Sequence, residues 1–226
     1  MLAKDLISGT ISPLLLSDTA NKAMDLMEEF KVTHLPVVSS IDSNNKTLLG
    51  LISEEDLLNI ENPSITLDEV HDLLSSNFIL ENQHIYDAIF LMGNNKLSVI
   101  PVVTSKHSYI GSINTRSIIK FLNEFTAINQ TGGIIVLEMN QHDYSLAHIA
   151  QIVESNDSKI YNSHISSVNN VNNIEVTIKI NNENIDAVVH SLERYKYNIK
   201  YTFNNTTESN SKLEENYESL MSYLNI

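Results

Sequence analysis

The sequence predicts an α+β protein: two pseudo-symmetric βαββα units, then a βαββαβ sandwich and a C-terminal helix. Three observations support this prediction. An apolar-Pro-Val-Val segment occurs twice, a helical stripe of apolar residues precedes each copy, and alternating β-branched residues dominate the chain after about residue 132. With 226 residues the chain is long enough for two domains that each bury a core.

The composition is that of an acidic globular protein. Because 14 Lys+Arg oppose 28 Asp+Glu, the formal net charge of −14 repels phosphate backbones and anionic lipid, and we expect neither nucleic-acid nor membrane binding. The absence of cysteine excludes disulfides, thiol catalysis and thiolate metal sites. The apolar cluster at 14–16 is far shorter than a signal sequence or a membrane span, so we expect a cytoplasmic protein.

The first half of the chain carries the duplication. Thr-His-Leu-Pro-Val-Val at 33–38 matches Ser-Val-Ile-Pro-Val-Val at 98–103, and Gly-Leu-Ile-Ser at 50–53 matches Gly-Ser-Ile-Asn at 111–114. The loop at 41–47 takes up the extra length of the first copy. The helical stripes lie at equivalent positions of the two copies: Ala20, Ala23, Met24 and Met27, then Ile85, Ala88, Ile89 and Met92.

The pattern of each copy therefore predicts a strand, an amphipathic helix, a Val-rich strand, a short strand and a second helix. The second helix starts near Ser53 in the first copy and near Asn114 in the second. Neither copy closes a core alone, so we expect the two to pack as a pair. The order of elements, with apolar-Pro-Val-Val followed by Gly-apolar-apolar-Ser-x-x-Asp, resembles the CBS-domain family, whose members occur as tandem pairs called Bateman modules. The resemblance covers residues 1–126, with repeat one at about 1–62 and repeat two at about 63–126.

The resemblance implies a non-catalytic regulatory module that binds an adenosyl nucleotide between the repeats. AMP, ATP and S-adenosylmethionine are the candidate ligands, and no cofactor is expected. In the family the motif Asp holds the ribose hydroxyls and the nearby hydroxyl residue assists. This assigns the nucleotide-binding role to Gly50, Ile52, Ser53 and Asp56, and it assigns candidate cleft-lining positions to His34, Pro36 and Arg116.

Chemistry alone leaves these assignments open. A carboxylate can accept both hydrogen bonds of a ribose diol. Ser53, however, is also a good N-cap, and acidic residues at 54–56 complement the helix dipole. Likewise, Arg116 could meet a phosphate or stay solvated, and His34 could line the cleft or serve as a hydrogen-bonded structural histidine.

The second repeat departs from the motif. Asn114 replaces the hydroxyl residue and Ser117 replaces the Asp, so we expect at most one nucleotide site. The carboxylates of Glu54 and Glu55 would repel a polyphosphate at the intact half-site. The eight histidines are scattered without metal-ligand spacing, and no catalytic signature is present, so we predict neither a metal site nor an enzyme.

After a polar linker at 127–131, residues 132–204 show the pattern of a ferredoxin-like βαββαβ domain. Its predicted elements are a strand at 134–139, a helix with Leu146, Ile149, Ala150 and Val153, strands at 159–168 and 174–180, a helix with Ile185, Val188, Val189 and Leu192, and a strand at 200–203. This order, after a CBS pair, resembles the ACT family, which senses amino acids and often dimerises through sheet edges. The joint at 141–146 lacks the glycine typical of effector-binding members, which favours a dimerisation or interaction role.

The tail at 205–226 places Leu213, Tyr217, Leu220 and Leu224 on one helical face, which predicts an amphipathic helix that packs against the body or a partner. Two functions stay open for the whole chain. The first is a regulatory sensor of a small metabolite. The second is a ligand-free oligomerisation or scaffold protein with degenerate sites. Either one predicts a homodimer, whose output passes through assembly or through an unidentified protein partner.

Overall fold

A computed structural model describes residues 1–40, 46–167 and 172–204. The tip of the predicted 41–47 loop and the predicted C-terminal helix lie outside these residues. The chain divides into two compact units, Met1–Leu122 and Asn123–Ile226, and each is described by itself.

The first unit contains the duplicated βαββα order that the sequence predicts. The elements of repeat one are β1 (Leu14–Leu15), α1 (Ala20–Phe30), β2 (His34–Val38), β3 (Leu48–Ser53) and α2 (Glu54–Leu58). Those of repeat two are β4 (Ile79–Leu80), α3 (Ile85–Asn94), β5 (Val99–Val103), β6 (Tyr109–Asn114) and α4 (Thr115–Phe125). In each repeat the first short strand pairs in parallel with the Val-rich strand, which pairs antiparallel with the next, giving sheets β1-β2-β3 and β4-β5-β6.

Helix α1 starts where Thr19 accepts a hydrogen bond from the Lys22 N–H, and α3 starts where His84 accepts one from the Tyr86 N–H. Both helices bury the small-residue stripe that the sequence predicts, although Met24 and Ile89 are only partly covered. The fully or almost fully buried members are Ala20, Ala23 and Met27 in α1 and Ile85, Ala88 and Met92 in α3.

The two repeats share their cores. Leu51 of β3 packs in the cluster built mainly by repeat two, and Val99 of β5 packs in the cluster built mainly by repeat one. Each repeat therefore buries a residue in the core of the other, which confirms the expectation that the repeats pack as a pair. This exchange also brings the start of β2 and the start of β5 close together.

The second unit has the βαββαβ order. Its elements are β7 (Ile134–Asn140), α5 (Leu146–Glu154), β8 (Ile160–Ser167), β9 (Asn173–Ile180), α6 (Asp186–Arg194) and β10 (Asn198–Phe203). The four strands form an antiparallel sheet with the order β10-β7-β9-β8, and both helices cover one face of it.

One predicted helical stripe of this unit is partly wrong. Leu146 is 41% exposed, whereas Ile152, which is not a member of the predicted stripe, is almost fully buried. Leu146 lies directly after the N-cap Ser145, in the first turn of α5. The turns that cover the sheet come later, at Ile149, Ile152 and Val153.

Candidate functional site

The motif Ser and Asp form a closed hydrogen-bonded pair at the start of α2. The Asp56 backbone N–H donates to Ser53 Oγ at 3.1 Å, and Ser53 Oγ donates to Asp56 Oδ2 at 2.5 Å. The first bond makes Ser53 the N-cap of α2, as one of the two interpretations predicts. The second bond orients the carboxylate, and a carboxylate has acceptor capacity for further donors.

This pair lies beside a hydrogen-bonded contact between the repeats, formed by Thr33, His34 and Ser98, which we call the seam. His34 opens β2 directly opposite Ser53 in the β2–β3 register. Across the seam, the Thr33 backbone N–H donates to Ser98 Oγ at 2.9 Å, and the Ser98 N–H donates to His34 Nδ1 at 3.4 Å. The motif Asp therefore sits next to a hydrogen-bonded junction of both repeats.

Burial at this seam lowers the pKa of His34, and the negative charges of Asp56 and Glu54 oppose that shift. A neutral imidazole keeps Nδ1 as an acceptor for the Ser98 N–H. The structure thus favours the neutral ring while placing two carboxylates near it. His34 is both hydrogen-bonded and half-buried at the seam, so its two predicted roles are compatible with each other.

The equivalent turn of repeat two carries a different cap. Asn114 Oδ1 accepts from the Ser117 N–H at 2.8 Å, and the Asn114 side chain is almost fully buried. No carboxylate stands at position 117. Arg116 is exposed and lines a depression of about 90 Å³ together with Lys31 and Ser98.

A wider groove of about 460 Å³ adjoins the same region and is lined in part by Lys31, Thr33 and Glu54. Lys31 thus borders both concavities. It ends α1 with a left-handed backbone, φ 55°, and Lys96 has φ 52° at the matching position of repeat two. Neither Lys31 nor Ser98 is among the residues predicted for the site from the sequence. A lysine recurs at the matching position 96 of repeat two, and this recurrence is a signal that could have pointed to Lys31.

Three predicted site residues lie within the protein interior. Ile52 is fully buried in the core of repeat one, so a ligand could meet its backbone and not its side chain. Pro36 is buried and faces Leu51 across the ladder. A Cβ at Gly50 would lie 2.7 Å from Leu74 Cβ, so close packing against the segment before β4 requires glycine there.

Within residues 1–40, 46–167 and 172–204, no group of three metal-ligating side chains comes together, and no helix is long and apolar enough to cross a bilayer.

The family model of the CBS domain matches this chain twice, at residues 4–62 and 70–124. The chain belongs to the CBS-domain family. Its two matched segments form the tandem pair described above, and CBS pairs are regulatory modules that often bind nucleotides.

Two curated proteins are similar to this CBS-pair chain. Inosine-5'-monophosphate dehydrogenase of Methanocaldococcus jannaschii is 26% identical over 77% of this chain, and homoserine O-acetyltransferase of Methanosphaera stadtmanae is 29% identical over 51%. The matched segments cover only 34% and 23% of those proteins.

Solved structures give similar matches. A CBS domain pair/ACT domain protein from Thermotoga maritima is 19% identical over 55% of this chain and 98% of its own, with a TM-score of 0.46. CBSX2 in complex with AMP is 22% identical over 54% of this chain and 96% of its own, with a TM-score of 0.45.

Proposed function

We propose that this CBS pair senses an adenosyl nucleotide at a single site beside Ser53 and Asp56 and passes the signal on without catalysis. The observation that carries the proposal is the orientation of the Asp56 carboxylate by Ser53, next to the hydrogen-bonded seam of the two repeats. A ligand at such a seam contacts both repeats, so it can favour one arrangement of the pair over another.

The chemistry of the region supports the ribose assignment. An oriented carboxylate suits a vicinal diol because it accepts from both hydroxyl groups. The cations of Lys31 and Arg116 border the small depression and suit a phosphate or a carboxylate. The carboxylate of Glu54 borders the wider groove and disfavours a long polyphosphate. We therefore expect AMP or S-adenosylmethionine to bind more tightly than ATP.

A ligand-free oligomerisation protein is the second candidate function. Asn114 and Ser117 favour it, because repeat two keeps the helix cap without the carboxylate.

We also propose that residues 132–204 form an ACT-like domain with a dimerisation or interaction role. The βαββαβ order supports this proposal, and so does the ordinary Ser145 cap, which stands where effector-binding members carry glycine. If the chain forms a homodimer, light scattering should give a molar mass of about twice the 25.4 kDa of one chain.

Isothermal titration of the full chain with AMP, ATP and S-adenosylmethionine tests the sensor proposal. Asp56→Ala should weaken binding by about tenfold or more, because two hydrogen bonds to a charged group are lost. The matched control is Ser117→Ala, which alters the equivalent position of repeat two and should leave the affinity unchanged. Absence of binding at millimolar ligand, or equal losses in both variants, would overturn the proposal in favour of the scaffold.

A further inference from the structure

In the part of the chain that the structure describes, α5 and α6 leave one face of the second unit's sheet uncovered. Alternation along the strands points Ile135, Leu137 and the even-numbered residues of β9 at the helices, so their neighbours point the other way. We call this second side of the sheet the open face. Ile134 of β7, Lys179 of β9 and Asn162 of β8 lie next to one another across it.

A depression of about 270 Å³ lies on the open face. One part of its lining is apolar and consists of Ile134 and Ile128, a residue of the segment before β7 that is 62% exposed. The other part is polar, and its described residues are Thr126, Asn162, His164, Thr177 and Lys179. None of these described residues is acidic, although the formal net charge of the chain is −14. The depression therefore places an apolar surface beside a positive charge.

Lys179 provides that positive charge and also holds the apolar part of the lining in place. Its Nζ donates to the Ile128 backbone carbonyl at 3.1 Å, which fixes Ile128 at the rim of the depression. An ammonium has three N–H donors, so this bond leaves two of them for other acceptors. The lysine can hence support the depression and bind an anion at the same time.

Two other lysines of this unit have a carboxylate partner, whereas Lys179 has a backbone carbonyl. Lys159 Nζ lies 3.2 Å from Glu154, and Lys200 Nζ lies 2.5 Å from Glu175. Lys179 forms no ion pair with any described residue. Glu175 is four residues away from it along β9, which is about 13 Å in a strand. An anion in the depression would therefore meet a cation that no neighbouring carboxylate neutralises.

We propose that this depression binds a small organic monocarboxylate with a compact apolar body. Lys179 Nζ pairs with the carboxylate, and Asn162 and Thr177 can donate further hydrogen bonds to it. Ile128 and Ile134 contact the apolar body. A single ammonium balances a single negative charge, so the depression suits a carboxylate better than a phosphate dianion. The site lies in the second unit and uses none of the residues proposed for nucleotide binding.

The volume of the depression sets the size of the apolar body. A cavity of about 150 Å³ lined by apolar side chains holds a benzene molecule. The depression, at about 270 Å³, has room for a ring of that size together with a short acidic arm. 3-Phenylpropanoate has both parts, and we choose it as the probe.

The charge of the lining separates this ligand class from α-amino acids. An amino acid adds an ammonium group, which would lie near Lys179 with no carboxylate among the described lining residues to balance it. Phenylalanine differs from 3-phenylpropanoate by this ammonium group alone, so the two compounds isolate its effect. We expect phenylalanine to bind at least about tenfold more weakly.

A chemical-shift titration of the isotope-labelled full chain with 3-phenylpropanoate tests the proposal. The side-chain amide resonances of Asn162 should move, with a dissociation constant in the millimolar range or below. 3-Phenylpropan-1-ol, which keeps the ring and lacks the charge, should bind at least about tenfold more weakly. The proposal is wrong if the alcohol or phenylalanine binds as tightly as the carboxylate. It is also wrong if about 10 mM 3-phenylpropanoate leaves the Asn162 resonances unmoved.

A first pair of variants tests the role of the charge. Lys179→Gln keeps a donor for the Ile128 carbonyl and removes the positive charge, so it should weaken binding of 3-phenylpropanoate about tenfold. The matched control is Lys159→Gln, which removes a lysine that pairs with Glu154 outside the depression and should leave the affinity unchanged. Equal affinities in the two variants would overturn the pairing of Lys179 with the carboxylate.

A second pair of variants tests the apolar surface. Ile128→Ser should weaken binding about fivefold, because the ligand loses an apolar contact. Its control is Ile165→Ser, which changes an isoleucine that is 49% exposed and pairs with the helix-facing Val176, on the other side of the sheet. This control should bind 3-phenylpropanoate as the unsubstituted chain does. An equal loss of affinity in both variants would contradict binding in the depression.

Discussion

The two CBS repeats share a backbone plan and differ in the side chains at their seam. In repeat one, His34 opens β2 and the pair Ser53 and Asp56 starts α2. In repeat two, the matching positions hold Val99, Asn114 and Ser117. Both helix starts are nevertheless capped by a side-chain oxygen, so the repeats share the cap and differ in the carboxylate.

The difference shows which residues the duplication needs for folding. Val99 is fully buried where His34 is half-buried and hydrogen-bonded, so repeat two uses apolar packing where repeat one keeps a polar seam. Repeat two forms the equivalent strand and helix without a carboxylate at position 117, so this fold forms without the Asp56 side chain at the matching position. The difference between the repeats supports the binding role proposed for Asp56, whereas the capping role of Ser53 is seen directly in its hydrogen bond from the Asp56 N–H.

Truncating a buried side chain in the core of either repeat should have the largest effect on the free energy of unfolding, and it tests whether the two repeats are equivalent. Ile52 and Ile113 are both fully buried, at matching positions of β3 and β6. Ile52→Ala and Ile113→Ala should each lower the free energy of unfolding by about 3 kcal/mol, because each leaves a cavity in a shared core. Urea unfolding followed by circular dichroism measures both. Losses that differ by more than about 2 kcal/mol would contradict the equivalence of the two buried positions.

The sequence predicts the repeated elements well because each has its own local signal. The Pro-Val-Val strands, the small-residue stripes and the Ser53 cap all depend on periodicity or on neighbouring residues. The seam depends on pairing between distant positions: nothing local to Ser98 indicates that its hydroxyl meets the Thr33 N–H. Ile52 also lies in the core although it belongs to the motif, since alternation in β3 turns its side chain inward.

An intermediate effect should come from the two caps. Ser53→Ala and Asn114→Ala should each lower the free energy of unfolding by about 1 kcal/mol, because each removes the acceptor for a helix N–H. The comparison predicts different effects on binding. Ser53→Ala frees the Asp56 carboxylate to rotate and should weaken AMP binding, whereas Asn114→Ala should not. Urea unfolding measures the free energy of unfolding, and calorimetric titration measures the affinity for AMP. A weaker affinity for AMP in Asn114→Ala would indicate that the ligand binds at repeat two.

The smallest effect should be a pH dependence of stability that originates at His34 of repeat one. Burial lowers the pKa of His34 from its ordinary 6.5, so the unfolded chain binds a proton at this position before the folded chain does. Stability from this group is therefore fully present above pH 6.5 and declines as the pH falls toward the lowered pKa. Because Asp56 and Glu54 oppose the shift, the decline should be shallow. His34→Gln removes the titrating group and should make the urea midpoint of unfolding depend less on pH between pH 6.5 and 5.5. If the unfolding midpoint of His34→Gln depends on pH as steeply as that of the unsubstituted chain, this prediction is wrong. The carboxylates of Asp56 and Glu54 would then compensate fully for the burial of a charged imidazolium.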